Sequence, residues 1–553
     1  VSAGQRITVR YRAAGPGGDA PLTLGQDNMV RCVLRDEPAH MSKQALWPVP
    51  PGTGLPAALG ALRTLAERHP ALRTVFPGTH FESQRELLEG EFTVAVEPVP
   101  TAAEVDAYGE RLGWRERQRA FDLARDFPLR CTLLTVAGAP VRLLVVVCHA
   151  QLDGAATALL FQEWLRLAAG ESLPPVTAIG PREVAEQERS VVGRRRAAAA
   201  LKHWERVLRE DPLAVFADDR VTRSDAQLPT LIVRSLAGAK DLARAVERTG
   251  ASTSTLLLTA YAALVARLAD QRTLVVSALS GNRHRRTLAD HIGTLAQDAL
   301  ISLTVPLDEP ALDLDELARR TQAAALAGYW HSTFDAEAVW QLIEDAALRR
   351  GARYPRHVVL NDLSATIPES AARARPLPAA EPEFGWLPAE TIPTRVMLNI
   401  WRVDGVLELS LHLDPVLFPR EQAEGLARLL LRLLALIAER PVALGELTGL
   451  AELAGLRPGR RERPGWRRVD GSWIDLAAVR ELVAGALGLP CRIELPEGGP
   501  LTAVLAERPG EPLTPERAHR AVVAALPEHH TAMAPQLYRM QLDGRTLREG
   551  SGR

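Results

Sequence analysis

The residue types able to do chemistry gather in one stretch of this 553-residue chain, residues 145–157, which reads VVVCHAQLDGAAT. Cys148 and His149 end a valine run, and the pair Asp153-Gly154 begins four residues beyond the histidine. A neutral imidazole, with an unperturbed pKa of about 6.5, suits proton transfer near neutrality. Asp153 stands where a helix N-cap is wanted, and the backbone amide of Gly154, at the helix start, could polarise a developing oxyanion. A thiol beside a histidine also fits thiol catalysis. Neighbours on a strand point to opposite faces, however, so Cys148 reads better as a small buried residue. The competing reading of His149 is a strand-to-helix corner that happens to contain a histidine.

Composition excludes several other chemistries. The four cysteines, Cys32, Cys131, Cys148 and Cys491, are scattered without CxxC or zinc spacing, so neither a metal nor a bound cofactor is expected. A reducing, cytoplasmic setting fits them best. With 46% hydrophobic residues, 24% charged residues and a net charge of −1, no global field favours nucleic acid or an anionic membrane. No apolar run approaches the ~20 residues of a membrane-spanning helix, and the opening VSAGQRITVRYRAAG lacks the apolar core of a signal peptide. Of the 66 basic residues only Lys43, Lys202 and Lys240 are lysines. That Ala/Arg/Leu/Pro bias is typical of GC-rich bacterial, and especially actinobacterial, coding.

The length calls for two to four domains to position these residues. Leu55, Leu59, Leu62 and Leu65 fall at helical spacing ahead of a short strand. RLLVVVCH (142–149) is an apolar run, hence a strand buried on both faces. GAATALLFQEWLRLAAG (154–170) is a helix, and RRRAAAALKHWERVLRE (194–210) is a second one with a solvated basic face. The pattern restarts near residue 230 with strand TLIVRSL, helix 253–269 and strand 273–279. VVLND (358–362) follows, then a hairpin around Asp404-Gly405 and a long helix over 420–440. This predicts an α/β (α+β) chain: a lobe over 1–180, a helical connection over 181–230, a second lobe over 231–445, a Pro/Gly/Arg-containing linker over 446–468 and a small α/β unit over 469–553.

Taken together, these segments resemble the condensation domains of nonribosomal peptide synthetases over residues 20–445. PLTLGQDNM (21–29), RHPALRTVF (68–76) and FDLARDFPLR (121–130) are similar to motifs of the first half. CHAQLDG (148–154) matches the His-His-x-x-x-Asp-Gly motif except at its first histidine. LSGNRHRRTLADHIGTLAQDALISL resembles the segment ending Ile-Gly-x-Phe-Val-Asn-Thr, with Leu295-Ala296-Gln297 as a departure, and HSTFD (331–335) and VVLND fall where late motifs are expected. The resemblance implies two chloramphenicol-acetyltransferase-like lobes forming a V-shaped pseudo-dimer with a central tunnel.

It further implies that His149 is the catalytic base or amine-positioning group in direct transfer of an acyl thioester to an amine. Asp153 would be architectural, paired with an arginine for which Arg283 is the candidate, and Cys148 would fill the place of a structural histidine. Asn361 and Trp386, the latter in a floor loop EFGW (383–386), would line the tunnel. Donor and acceptor would arrive on the phosphopantetheine of acyl or peptidyl carrier proteins. No segment resembles the Gly-Gly-x-Ser carrier motif, so these carriers, and any other synthetase modules, would act in trans on a monomer, unless the chain is a fragment of a larger synthetase. Ester formation with an alcohol acceptor would use the same residues, and a non-catalytic recruitment module is the alternative from another class.

The tail over 469–553 resembles the small C-terminal subdomain of adenylation domains. The segment matching that family's Gly-Lys-x-Asp-Arg is Gly544-Arg545-Thr546-Leu547-Arg548, so arginine replaces the lysine that would contact ATP. The Gly-rich phosphate loop is also missing. A remnant that packs or docks, without adenylating, is expected.

Overall fold

In the computed structural model, residues 4–213, 226–365, 376–456, 464–506, 513–528, 531–542 and 545–553 are described. The valine run folds as the strand Ala139–Cys148, paired antiparallel with Leu129–Val136 on one side and Ser42–Pro48 on the other. Beyond Leu129–Val136, Glu89–Pro98 and Gln5–Arg12 complete a five-stranded sheet. Leu143, Val145 and Val147 pack into one core with Leu62 and Leu65 of helix Leu55–Arg68 and Leu160 of helix Gly154–Ala168. Leu144, on the opposite face, packs with Val105 and Leu112 of helix Val105–Arg117. Helices on both faces therefore account for the unbroken apolar run, although both pairings are antiparallel. The five residues Leu143 to Val147 are each at most 2% exposed, worth roughly 1.5–3 kcal/mol apiece. That burial fixes the strand whose end carries His149.

The second lobe is built on a seven-stranded sheet in the order Gln297–Thr304, Thr273–Ser280, Val358–Asp362, Val396–Arg402, Leu407–Leu413, Ala226–Ser235 and Glu383–Ile392. Strand Val358–Asp362 runs parallel to both its neighbours, and the other pairings are antiparallel. The expected hairpin forms with Gly405 at φ 73°, a backbone region glycine enters without strain. Alternation divides the sheet's faces. Val276, Leu360, Leu398, Leu409 and Val233 join the core made with helices Leu236–Thr249, Thr253–Ala269, Leu314–Trp330 and Arg420–Glu439. The opposite parity carries Asn361, Asn399, Ser410, His412 and Thr230, cross-linked as Asn361 to Asn399, Asn399 to Ser410 and Thr230 to His412.

The connection between lobes contains helices Pro181–Glu188 and Val191–Glu210, and residues 214–225 lie outside the described residues. The expected linker over 446–468 opens as helix Glu446–Leu453 and closes in strand Trp466–Val469, with 457–463 outside the described residues. The tail has its own four-stranded sheet, Cys491–Glu494, Thr502–Ala506, Leu537–Leu542 and Arg545–Gly550, with helices Leu476–Leu487 and Pro515–Ala525. Its core is not separate. Val479, Leu482, Val522 and Tyr538 pack in one cluster with Trp204 and Leu208 of the connecting helix and with Val339 and Ala347 of helix Ala336–Arg350. Arg350 also pairs with Asp470 at 2.6 Å, and Trp473 donates to Asp270 O at 3.2 Å. Among the described residues, no single helix is long and apolar enough to cross a membrane.

Candidate functional site

After Cys148 the chain turns on itself, with the amides of Gln151 and Leu152 donating to Cys148 O, and helix Gly154–Ala168 starts five residues after His149. The His149 Nδ1 lies 3.0 Å from Leu152 O. A carbonyl can only accept, so Nδ1 carries the proton and the neutral ring keeps its lone pair on Nε2. Nε2 has no hydrogen-bond partner among the described residues. Burial pushes the imidazole below its ordinary pKa and the Lys43 cation pushes it further, while Asp153 opposes. The ring is thereby held neutral, in the tautomer a base requires. The backbone carbonyl of His149 accepts from Thr294 Oγ1 at 2.8 Å, so the second lobe grips the histidine itself.

Cys148 points the other way, into an apolar cluster with Leu22, Val30, Phe76, Leu123 and Ala150. Burial pushes its thiol up to about 12, which leaves it protonated and inert.

Asp153 does two jobs at once. Its Oδ1 caps the helix by accepting from Ala156 N at 2.9 Å. Arg283 of the second lobe meets both oxygens, Nη1 to Oδ2 at 2.7 Å and Nη2 to Oδ1 at 2.8 Å. Oδ2 also accepts from the amides of Leu295 and Ala296, at 3.0 and 3.2 Å. Burial alone would raise the carboxyl's pKa, but Arg283 and these amides hold it below the ordinary value. Arg283 in turn donates to His291 O and Gly293 O. One carboxylate thus ties the His149 corner to the loop that follows Arg283. The segment in which Leu295-Ala296-Gln297 departs from the resembled motif supplies backbone amides to this clamp.

Gly154 is exposed as the first residue of the helix, and its N–H has no partner among the described residues. Asn361 is half-buried on the polar face of the large sheet, donating to Asn399 Oδ1 at 3.0 Å. Trp386 corrects the sequence reading. EFGW is no floor loop but part of the strand Glu383–Ile392, and Trp386 packs against helix Arg420–Glu439. Its Nε1 donates to Glu424 at 3.0 Å and Arg420 lies 4.7 Å over its ring. A register shift between Leu387 and Glu390 breaks the strand's alternation. It re-aims the strand, so that Glu390 reaches Arg117 of the first lobe at 3.2 Å.

Around His149 the two lobes present groups that sequence reading passed over. Lys43 pairs with Val147 across the sheet, two residues before His149, and its charge acts on the imidazole. Its side chain is exposed, yet it lies deep enough for burial to push its ammonium down to about 8. Its charge also acts on His40 and, from the second lobe, on half-buried His412, while Glu390 opposes the drop in its own pKa. The rarity of lysine among 66 basic residues was the one signal that could have marked Lys43.

Comparison with known proteins places this geometry. A family model described as "Condensation domain" matches residues 32–446. Phosphinothricin tripeptide synthetase PhsC of Streptomyces viridochromogenes is 29% identical over 294 residues, covering 49% of this chain and 26% of PhsC. The chain therefore spans about a quarter of that relative's length. Among solved structures, the first condensation domain of the calcium-dependent antibiotic synthetase superposes with a TM-score of 0.61 at 16% identity, over 77% of this chain and 98% of that one. The X-domain from teicoplanin biosynthesis gives 0.59 at 24% identity, over 78% and 98%.

Proposed function

The chain belongs to the condensation-domain family, and on that premise we propose that it joins a carrier-bound acyl thioester to an amine, with His149 taking the amine proton. The observation that carries the reading is the tautomer: Leu152 O fixes the proton on Nδ1 and leaves Nε2 as the acceptor. The amine nitrogen attacks the thioester carbon and forms the C–N bond. Nε2 accepts the proton that the nitrogen sheds. On collapse of the tetrahedral intermediate the C–S bond breaks, the proton passes to the departing sulfur, and amide and free thiol result. The exposed Gly154 amide, at the N-terminus of a helix, is the candidate donor to the oxyanion.

Most of the catalytic task is positioning, because a thioester is already activated. The clamp of Arg283, Leu295 and Ala296 on Asp153 suits that task, since it fixes the corner bearing His149 against the second lobe. Carrier proteins would present both substrates on phosphopantetheine arms. The tail would serve as a packed platform and would not adenylate.

The test is to incubate the protein with carriers loaded with donor acyl groups and acceptor amines, and to follow transfer by mass spectrometry. An acyl group moved to the acceptor carrier, and lost in His149→Ala, is the expected result. Transfer that survives His149→Ala would overturn the role of the histidine. Transfer to hydroxyl acceptors alone would make the product an ester, and carrier or enzyme binding without any transfer would make the chain a recruitment module.

A further inference from the structure

Lys43 is a cation near His149, and the carboxylate that acts on it, Glu390, is already paired with Arg117. Lys43 forms no ion pair among the described residues, and its Nζ makes one hydrogen bond, to His40 O at 2.7 Å. An ammonium carries three N–H donors, so two remain for something else. The neighbouring acid is taken, because Arg117 binds Glu390 with both nitrogens, Nη1 to Oε1 at 3.3 Å and Nη2 to Oε2 at 3.2 Å. The remaining charged or titratable groups that act on Lys43, or on which it acts, are Arg117, His40, His149 and His412, none of them an anion. An exposed lysine at a protein surface needs no partner. This one pairs with Val147, two residues before His149, and its charge acts on His149 and on His412 of the second lobe.

We propose that Lys43 receives a carboxylate of the substrate, held close to the bond that His149 helps to form. The inference rests on the condensation reading above and names the substrate class for that site. Diagonal neighbours across a sheet lie ~7–8 Å apart, and Lys43 sits one residue from the Ser42–Cys148 pair that leads into His149. The anion must therefore be near the transferred carbon or the attacking nitrogen. The phosphate of a pantetheine arm, at the far end from its thioester, does not meet that condition. A carboxylate does, from either of two sources: an acidic side chain on the carrier-bound aminoacyl acceptor, or an acidic side chain on the donor acyl group.

Two measurements test this. In the first, the ratio of kcat/KM for aspartyl over asparaginyl acceptors, and for glutamyl over glutaminyl donors, all carrier-bound, is compared between wild type and Lys43→Met. Removing a charge-assisted hydrogen bond from one member of a pair should lower the affected ratio by roughly 10–100-fold, and the pair that responds identifies the source. Ratios unchanged in both pairs would overturn the proposal. In the second, reductive 13C-methylation labels the three lysines, and Lys43→Arg identifies the Lys43 signal. Added succinate should shift that signal well before those of Lys202 and Lys240, and a Lys43 signal that moves no more than theirs would overturn the proposal. The two failures separate cleanly. A Lys43 signal that responds in a protein condensing no donor with any acceptor sinks the functional reading and leaves the anion site. Condensation with unchanged ratios does the reverse.

Discussion

Removing the Asp153 carboxylate should loosen the molecule at the joint between its lobes. The side chain is 2% exposed and its partner Arg283 11%, so the pair lies in a low-dielectric setting where breaking one partner costs about 3–5 kcal/mol. Asp153→Ala leaves the amides of Ala156, Leu295 and Ala296 without their acceptor as well. For a lobe of roughly 200 residues, each kcal/mol moves the melting temperature by about 2–4 °C, which puts the fall at about 6–20 °C. Asp153→Asn separates the two jobs. Its remaining oxygen can still cap Ala156, but its NH2 would turn donors toward Arg283 and the Leu295 amide, so it should lose nearly as much. A double-mutant cycle with Arg283→Ala should give a coupling of roughly 1–3 kcal/mol. Melting by calorimetry, with solution scattering to follow lobe opening, reads all of these. An Asp153→Ala protein with wild-type melting, or an additive double mutant, would refute the clamp.

His149→Ala should keep the fold and lower turnover by ~10²–10⁴, whereas Cys148→Ala should leave turnover within several-fold and cost about 1 kcal/mol of stability by thermal melt. Alkylating reagents should therefore inactivate slowly, since burial holds the thiol up to about 12, and an acyl group trapped on that sulfur would contradict the mechanism. By histidine NMR, His149 should titrate below 6.5, and Lys43→Met should move it back upward by removing the cation beside it. Because the folded value is depressed, the unfolded chain takes this proton first. His149 then costs stability as pH falls from about 6.5 toward its folded value and costs nothing above it. Amino-acid-dependent pyrophosphate exchange should be absent, and its detection would restore an adenylating role to the tail. A chain lacking residues 464–553 should lose solubility, because that deletion bares Trp204, Leu208 and Val339, which now share a core with the tail.

What was legible in the sequence was periodic or local. The valine run announces a strand covered on both faces, and Asp153 ahead of a small-residue stretch announces a helix start. Two readings of Asp153, cap and arginine partner, looked like alternatives because sequence order shows one neighbour at a time. Its five N–H donors come from both lobes, and the carboxylate accommodates all of them. Trp386 was misplaced because EFGW reads locally as a loop, whereas it is a strand by pairing with Ala226–Ser235, a partner far away along the chain that sequence order does not show. Lys43 was legible only as one of three lysines, not as a site residue, for a different reason. Its environment is assembled from helix Val105–Arg117, strand Glu383–Ile392 and strand Leu407–Leu413, all distant from it in sequence. The Leu295-Ala296 departure shows the converse. A motif comparison counts it as a loss, yet the groups used there are backbone amides, which any residue but proline supplies. Side-chain divergence at such a position carries no information about whether the joint is kept. It leaves His149 and Lys43, whose proposed roles are played by their side chains, as the positions where substitution should alter function.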